Sequence, residues 1–506
     1  MESKANPIKS KKEQKGAQKK IEENKKKIPA SYLLSIPENL NLEEMLDKNP
    51  PSFNYHIDNF VYIASLPNSI MESIRDNEDD YERAIREGYV PFYSPIIQQK
   101  VHDYKKYIDY FLENNVLETD NKYSKKGGKS IWYRYTSQYN QKTVEVKITK
   151  RSLIKNLFER TKPHLLREAE IELLPEMALS KVSYLTKWFN SKLRIDMEKA
   201  KGFLLQLFNE DKEIRGEDIA TRKYNSLELT ALKINNPENI KSYLSIDKTV
   251  GRFHSPLTNL KSELRNYLTY DNKKLVSLDL KNSQPFLSLA LVDYSVYQQS
   301  NIKETLLHYY GQLDKDKGKS RIDKIEKMLQ NYENRPDIIE YKKSVASGDI
   351  YETIGTYTGS YLLHTENENT RRKNSKNEFI KVLFGINYTI QPEHYTDEIT
   401  PRDNLVIFSS IFPSVYNIFQ EVKHKKYAVL AWILQHFEAD LILHTVCKQI
   451  AKNKPKIPLF TIHDSVVTTV ENADYVESEM KRIIKEKILH EPRITKEYLE
   501  ENNTIN

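Results

Sequence analysis

The chain is 506 residues long, 39% hydrophobic and 29% charged, which suggests two to four packed units with enough apolar material for real interiors. No uninterrupted apolar stretch approaches the roughly 20 residues of a membrane-spanning helix, and the lysine-rich start has no apolar signal-peptide core behind it, so the chain is expected in the cytoplasm with no membrane partner. The one cysteine, Cys447, excludes an internal disulfide and a multi-cysteine zinc site, and its apolar helical surroundings predict a buried, inert thiol.

The net charge of +7 is concentrated at the start, where residues 1–27 hold ten lysines against four glutamates. The remainder is close to neutral. With almost no apolar residues to fold it, this segment predicts a disordered basic tail over 1–28. It reads either as a loose tether to nucleic acid or as a solubilising terminus. From Pro29 the apolar pattern begins, and 94–117 carries a helix signature in Val101, Tyr104, Ile108, Phe111 and Leu112. Two strand-like runs follow, SIWYRYT at 130–136 and TVEVKIT at 143–149, joined by a polar turn and preceded by the loop KKGGK at 125–129. A helix followed by such a hairpin resembles a winged helix. An ordinary α+β subdomain over 29–149 is the alternative. From about 149 to 235 the pattern is helical, with 180–207 carrying Val182, Leu185, Trp188 and Phe189 toward one face.

The chemistry starts beyond Gly251. KLVSLDLKNSQPFLSLALV at 274–292 reads as a strand ending at Asp279, then a helix that Ser283 caps with Pro285 in its first turn. A carboxylate at a strand's exposed end suits a divalent cation. A second stands in PLFTIHDSVVTTV at 458–470, where two β-rich runs flank His463, Asp464 and Ser465 and predict a hairpin turn. Polar residues there cost stability unless they are paired or bound to metal. Asp279 and Asp464 together suit two Mg²⁺ ions about 3.5–4 Å apart, one activating a hydroxyl and one steadying pyrophosphate. Between them, RRKNSKNEFIKVLFGINY at 371–388 reads as a helix stopped at Gly385. Its residues Arg372, Lys376, Ile380 and Phe384 recur every four positions as one stripe, two cations for phosphates and an aromatic ring for a base.

In order and spacing these segments resemble the palm and fingers motifs of family A DNA polymerases and of the single-subunit phage RNA polymerases, over roughly 249–468. Asp279 matches the first-motif aspartate, Arg372, Lys376, Phe384 and Gly385 the second motif, His463 and Asp464 the third. The resemblance implies an α+β right-hand polymerase: a thumb at 150–248, a palm at 249–506 and inserted fingers at about 295–425, behind an α/β N-terminal domain. It further implies that Asp279, Asp464 and Leu280, which has only its carbonyl to offer, hold Mg²⁺, for which Mn²⁺ substitutes. Lys376 then serves catalysis and, with Arg372, Phe384 and Gly385, the nucleoside triphosphate. Three departures stand out. Phe384 replaces a tyrosine, the third motif reads HDS rather than HDE, and either Gln284 or Phe286 occupies the place of a bulky acid at the incoming sugar.

Either bulky residue favours deoxynucleotides, whereas Ser465 favours the RNA enzymes. LQHFEADLI at 434–442 resembles the DNA polymerase helix whose glutamine, here Gln435, reaches the minor groove near the primer end. The segment 251–268 resembles the one contacting the primer-template backbone, with Arg252 and Arg265 as candidates. No acidic triplet for a proofreading exonuclease stands in the first 250 residues. The expected enzyme is a DNA-directed DNA polymerase acting on primer-template DNA. An RNA polymerase or primase-like enzyme of the same fold, and a non-catalytic DNA-binding replication or regulatory protein, are the alternatives.

Overall fold

The structure, a computed structural model, describes residues 29–74, 78–120, 130–158, 175–313, 318–358, 368–385, 401–424 and 426–500. The basic tail and the KKGGK loop lie outside them. The mixed α+β chain divides into two units, one from the described residues before 166 together with 208–229, the other from those of 167–207 and 230–506. Among the described residues no helix is long and apolar enough to cross a membrane.

In the first unit, strand β1 (Tyr32–Pro37) precedes helix α1 (Ile57–Ser73), whose Phe60, Ile63 and Ala64 are fully buried. Strand β2 (Val90–Pro91) and helix α2 (Tyr104–Glu113) come next, followed by strands β3 (Leu117–Thr119), β4 (Trp132–Tyr135) and β5 (Thr143–Ile148). Tyr107, Tyr110 and Phe111 of α2 close on Phe60 with ring centroids 4.7, 5.0 and 5.4 Å away, all edge-on, the arrangement that aromatic quadrupoles favour. The expected hairpin is absent. β4 pairs with β2 and β3, whereas β5 pairs with β1 over the full run from Tyr32↔Ile148 to Pro37↔Thr143. β1 matches β5 in length and supplies six partners, so the non-local pairing replaces the local one. Residues 208–229, from helices Met197–Arg215 and Glu217–Ile234, complete this unit. Arg222 donates to the carbonyls of Ile85 and Arg86, Asn225 to that of Gln141, and the Lys142 ammonium lies over the Phe208 ring.

The second unit is built on an antiparallel sheet. Its strands are β6 (Leu193–Ile195), β7 (Leu268–Tyr270), β8 (Lys273–Leu280), β9 (Phe460–Ile462), β10 (Ser465–Thr469) and β11 (Ile494–Leu499). The order is β9-β10-β8-β7-β6, and β11 lies against β8 as well. β6 falls inside the stretch 180–207 that reads as helical. Leu193 and Ile195 alternate inward and pair with Tyr270 and Leu268, and three residues of alternation are too few to outweigh the helical pattern around them. β8 is buried from Leu275 to Leu278 because it is flanked on both edges. Its hairpin with β7 turns at Asp271 and Asn272, both at positive φ (53° and 59°), as a tight two-residue turn with right-handed strand twist requires. A helix at Ala473–Ile488 lays Val476, Met480, Ile483, Ile484 and Ile488 toward the interior at helical spacing.

Between β8 and β9 every described element is helical. Five helices matter for the site: α3 (Ser283–Leu287), α4 (Ile350–Thr358), α5 (Glu368–Phe384), α6 (Pro413–Lys423) and α7 (Ala428–Ala439). α7 continues as a π-helix over Asp440–Cys447 and resumes as α-helix at Lys448–Asn453, and it packs against both α3 and α5.

Candidate functional site

The site assembles where β8 and β10 end together. Asp279 is opposite Ser465 in the β8–β10 register, and Asp464 is one residue beyond, in the turn that joins β9 to β10. His463, the first turn residue, takes φ +54°, a left-handed conformation that non-glycine residues occupy at a cost of about 1–2 kcal/mol. The reading of HDS as a hairpin turn thus corresponds to the observed geometry. Ser465 Oγ donates to Asp279 Oδ1 at 2.7 Å, so the serine that departs from HDE orients the other aspartate. Burial, and then the Asp464 charge, raise the Asp279 carboxyl above its ordinary range, against the Ser465 hydroxyl and the Lys376 ammonium, which lower it.

The helix after β8 starts one residue earlier than the sequence suggests. Asn282, not Ser283, is the residue before the first turn, and it takes φ +55° without capping through its side chain. Its amide instead donates to Gly348 O at 2.8 Å and accepts from Arg372 Nη2 at 3.3 Å. The turn sends Gln284 and Phe286 to different places. Gln284 lines a cleft of about 240 Å³, and Phe286 is packed in the interior at 2% exposure. The structure therefore removes Phe286 from the candidate site.

That cleft brings together Arg252, Asp279, Leu280, Gln284, Lys376, Phe384 and Asp464 from four separated stretches of sequence, with Tyr351, Ile380 and Glu438. Three of the four stripe residues on α5 face it. The fourth, Arg372, is turned toward α4, ion-paired to Glu352 with its guanidinium 5.3 Å from the Tyr351 ring. Gly385 ends α5 and its N–H donates to Lys381 O at 2.7 Å; a Cβ there would collide with that same oxygen. The buried Lys423 of α6 donates from Nζ to Val382 O at 2.6 Å and Gly385 O at 3.0 Å, meeting the unpaired carbonyls at the end of α5. Burial draws its ammonium down to about 8.

Arg252 is held by a local device. In the loop between the paired segments Ser245–Ile246 and Phe253–His254, the Asp247 carboxylate accepts from the N–H groups of Thr249 (2.7 Å), Val250 (3.0 Å) and Arg252 (3.0 Å), with Gly251 at φ +72°. Arg265, Gln435, His463 and Gly385 do not line the cleft. Arg265 is half-buried and donates to Leu260 O at 3.1 Å, His463 is exposed at the turn, and Gln435 is half-buried on α7.

Sequence reasoning missed Glu438. It is 2% exposed, accepts from Arg252 Nε at 3.2 Å and Nη2 at 2.8 Å on Oε1, and accepts from Gln284 Nε2 on Oε2. Burial pushes its carboxyl up to about 7 against the pull of Arg252, and the Asp464 charge adds to the rise. Its only sequence signal was a carboxylate between Phe437 and Ala439 on a largely apolar helix. Among the described residues no three His, Cys, Asp or Glu side chains gather as a metal site.

No known family model matches the chain, and no curated protein matches it. Among solved structures it is similar to the POL domain of Pol1 from M. smegmatis, in complex with DNA primer-template and dNTP, at 12% identity and a TM-score of 0.37. That likeness covers 59% of this chain and 55% of that one, so the chain spans about half of the structure it matches. The functional reading therefore rests on the residues of the cleft.

Proposed function

We propose that this chain is a template-directed nucleotidyltransferase, a DNA-directed DNA polymerase that extends a primer on a template with deoxynucleoside triphosphates. The observation that carries this reading is one cleft in which two carboxylates, Asp279 at the end of β8 and Asp464 in the turn before β10, share space with a lysine and an aromatic ring from one helix, Lys376 and Phe384. The Asp464 charge already raises the proton affinity of Asp279, a concentration of negative charge on hard oxygen donors that suits Mg²⁺. Asp279, Asp464 and the Leu280 carbonyl would hold it. When bound, the metal supplies Lewis-acid activation of an attacking hydroxyl and neutralises triphosphate charge.

The chain's own residues do the rest. Lys376 meets the triphosphate as a mobile point charge. Phe384, about two turns further along α5, offers a ring face for the base. Gln284 occupies the sugar side of the cleft, where its bulk crowds a 2′-hydroxyl. Arg252 stands at the primer side, within hydrogen-bond reach of α7. Primer extension with Mg²⁺, run with deoxynucleotides and ribonucleotides in parallel, tests the reading. Extension with deoxynucleotides is expected. Preference for ribonucleotides moves the assignment to an RNA polymerase or primase-like enzyme, and DNA binding without extension moves it to a non-catalytic replication or regulatory protein.

A further inference from the structure

Glu438 has no place in the chemistry just described, yet it is the most buried charged side chain of the cleft, at 2% exposure. One of its carboxylate oxygens takes both Arg252 donors and the other takes the Gln284 amide. A single side chain on α7 thereby ties the Arg252 loop to the first turn of α3. The second amide atom of Gln284, Oε1, is buried with no hydrogen-bond partner among the described residues. The bond to Glu438 is thus what fixes the amide. Glutamine has three side-chain torsions, and a free one would sweep through the space it is meant to obstruct. Phe384, the aromatic of the stripe in the cleft, carries no polar atom with which to hold it.

We propose that Glu438 is the positioning residue for sugar selection: it holds Gln284, braced against Arg252, at the place where the sugar of an incoming nucleotide lies. This rests on the polymerase reading. A purely structural role, in which Glu438 only neutralises a partly buried arginine, makes a different prediction, because its loss would then act independently of Gln284.

The test compares kcat/KM for deoxynucleotides against ribonucleotides on one primer-template for the full-length wild type, Glu438→Ala, Glu438→Gln, Gln284→Gly and the double variant Glu438→Ala/Gln284→Gly, with the thermal midpoint of each recorded. Glu438→Ala is expected to lower discrimination on the order of tenfold by freeing the amide. In the Gln284→Gly background the same change is expected to move the ratio by no more than about twofold, because the group it acts through is gone. Glu438→Gln keeps an acceptor for Gln284 and is expected to restore the ratio to within about threefold of wild type. Where the alanine variant does not fold, Glu438→Met fills the volume without an acceptor and is read the same way. A Glu438→Ala chain that extends primers with unchanged discrimination, or an equal effect with and without Gln284, overturns the inference alone. A wild type that extends no primer overturns the polymerase reading and the inference with it.

Discussion

Asp279 and Asp464 are related by a strand register, and replacing either by Asn removes a charge while keeping shape. Each variant is expected to lose nucleotide addition by about two to three orders of magnitude or more, with nucleic-acid binding retained in a gel-shift assay. On α5, Lys376→Ala is expected to raise KM for the triphosphate and lower kcat far more than Lys381→Ala, because Lys376 lines the cleft and Lys381 does not. Equal effects in steady-state kinetics would reduce the stripe to a solvated helix face. Glu438 gives a pH signature. Its folded-state pKa of about 7 lies above the ordinary glutamate value of 4.5, so between those values the native state binds more protons than the unfolded one. Stability therefore falls as pH rises through that window. Urea denaturation from pH 4 to 8 is expected to show this decline in wild type and a flatter profile in Glu438→Gln, the difference being roughly 3 kcal/mol at most. The metal and triphosphate candidates were legible because a carboxylate at a strand end and a four-residue stripe are local patterns. Glu438 was not, because its partners stand 186 and 154 positions away.

At the scale of elements, α5 ends in a lock of two parts. Gly385→Ala forces a Cβ against the Lys381 carbonyl, and Lys423→Met leaves the carbonyls of Val382 and Gly385 without their donor. Each is expected to cost about 1–3 kcal/mol in chemical denaturation and to weaken triphosphate binding by displacing Phe384, which directly precedes the lock. The stop at Gly385 was readable from the glycine. Its partner on α6 was not, since a lysine at the end of an amphipathic helix ordinarily lies in water. The strands divide in the same way. The β9–β10 turn was legible from HDS between two β-rich runs, because hairpin pairing is local. β4 and β5 also look like neighbours, but β5 is paired with β1 more than a hundred residues earlier, and no local pattern records that. The short β6 was hidden for the same reason, its identity fixed by Leu268 and Tyr270 rather than by its own three residues. Glu438 itself lies in the last turn before α7 widens into a π-helix, a geometry associated with functional positions that composition does not signal.

At the scale of the molecule, the even charge of the body leaves 1–27 as the main electrostatic lever. Its deletion is expected to weaken binding to DNA and flatten the dependence of log affinity on log salt, with little change in rate at saturating template, as fluorescence anisotropy across a salt series would measure. An unaltered slope would make the tail a solubility device. The reading of 29–149 as one contiguous domain and of 150–248 as a separate thumb treats the chain as a string of modules. The first unit instead takes in 208–229, whose Arg222 and Asn225 donate to backbone carbonyls at 85, 86 and 141. This interruption governs the order of events during synthesis. A ribosome that has released residue 166 has not yet supplied the helices that finish the first unit, and before it does so it must emit 167–207, whose strand β6 waits for β7 near residue 270. The first body cannot close before residue 229 has emerged, and by then 167–207 has been emitted ahead of its sheet partners, so apolar residues of β6 wait unpaired until about residue 270 is made.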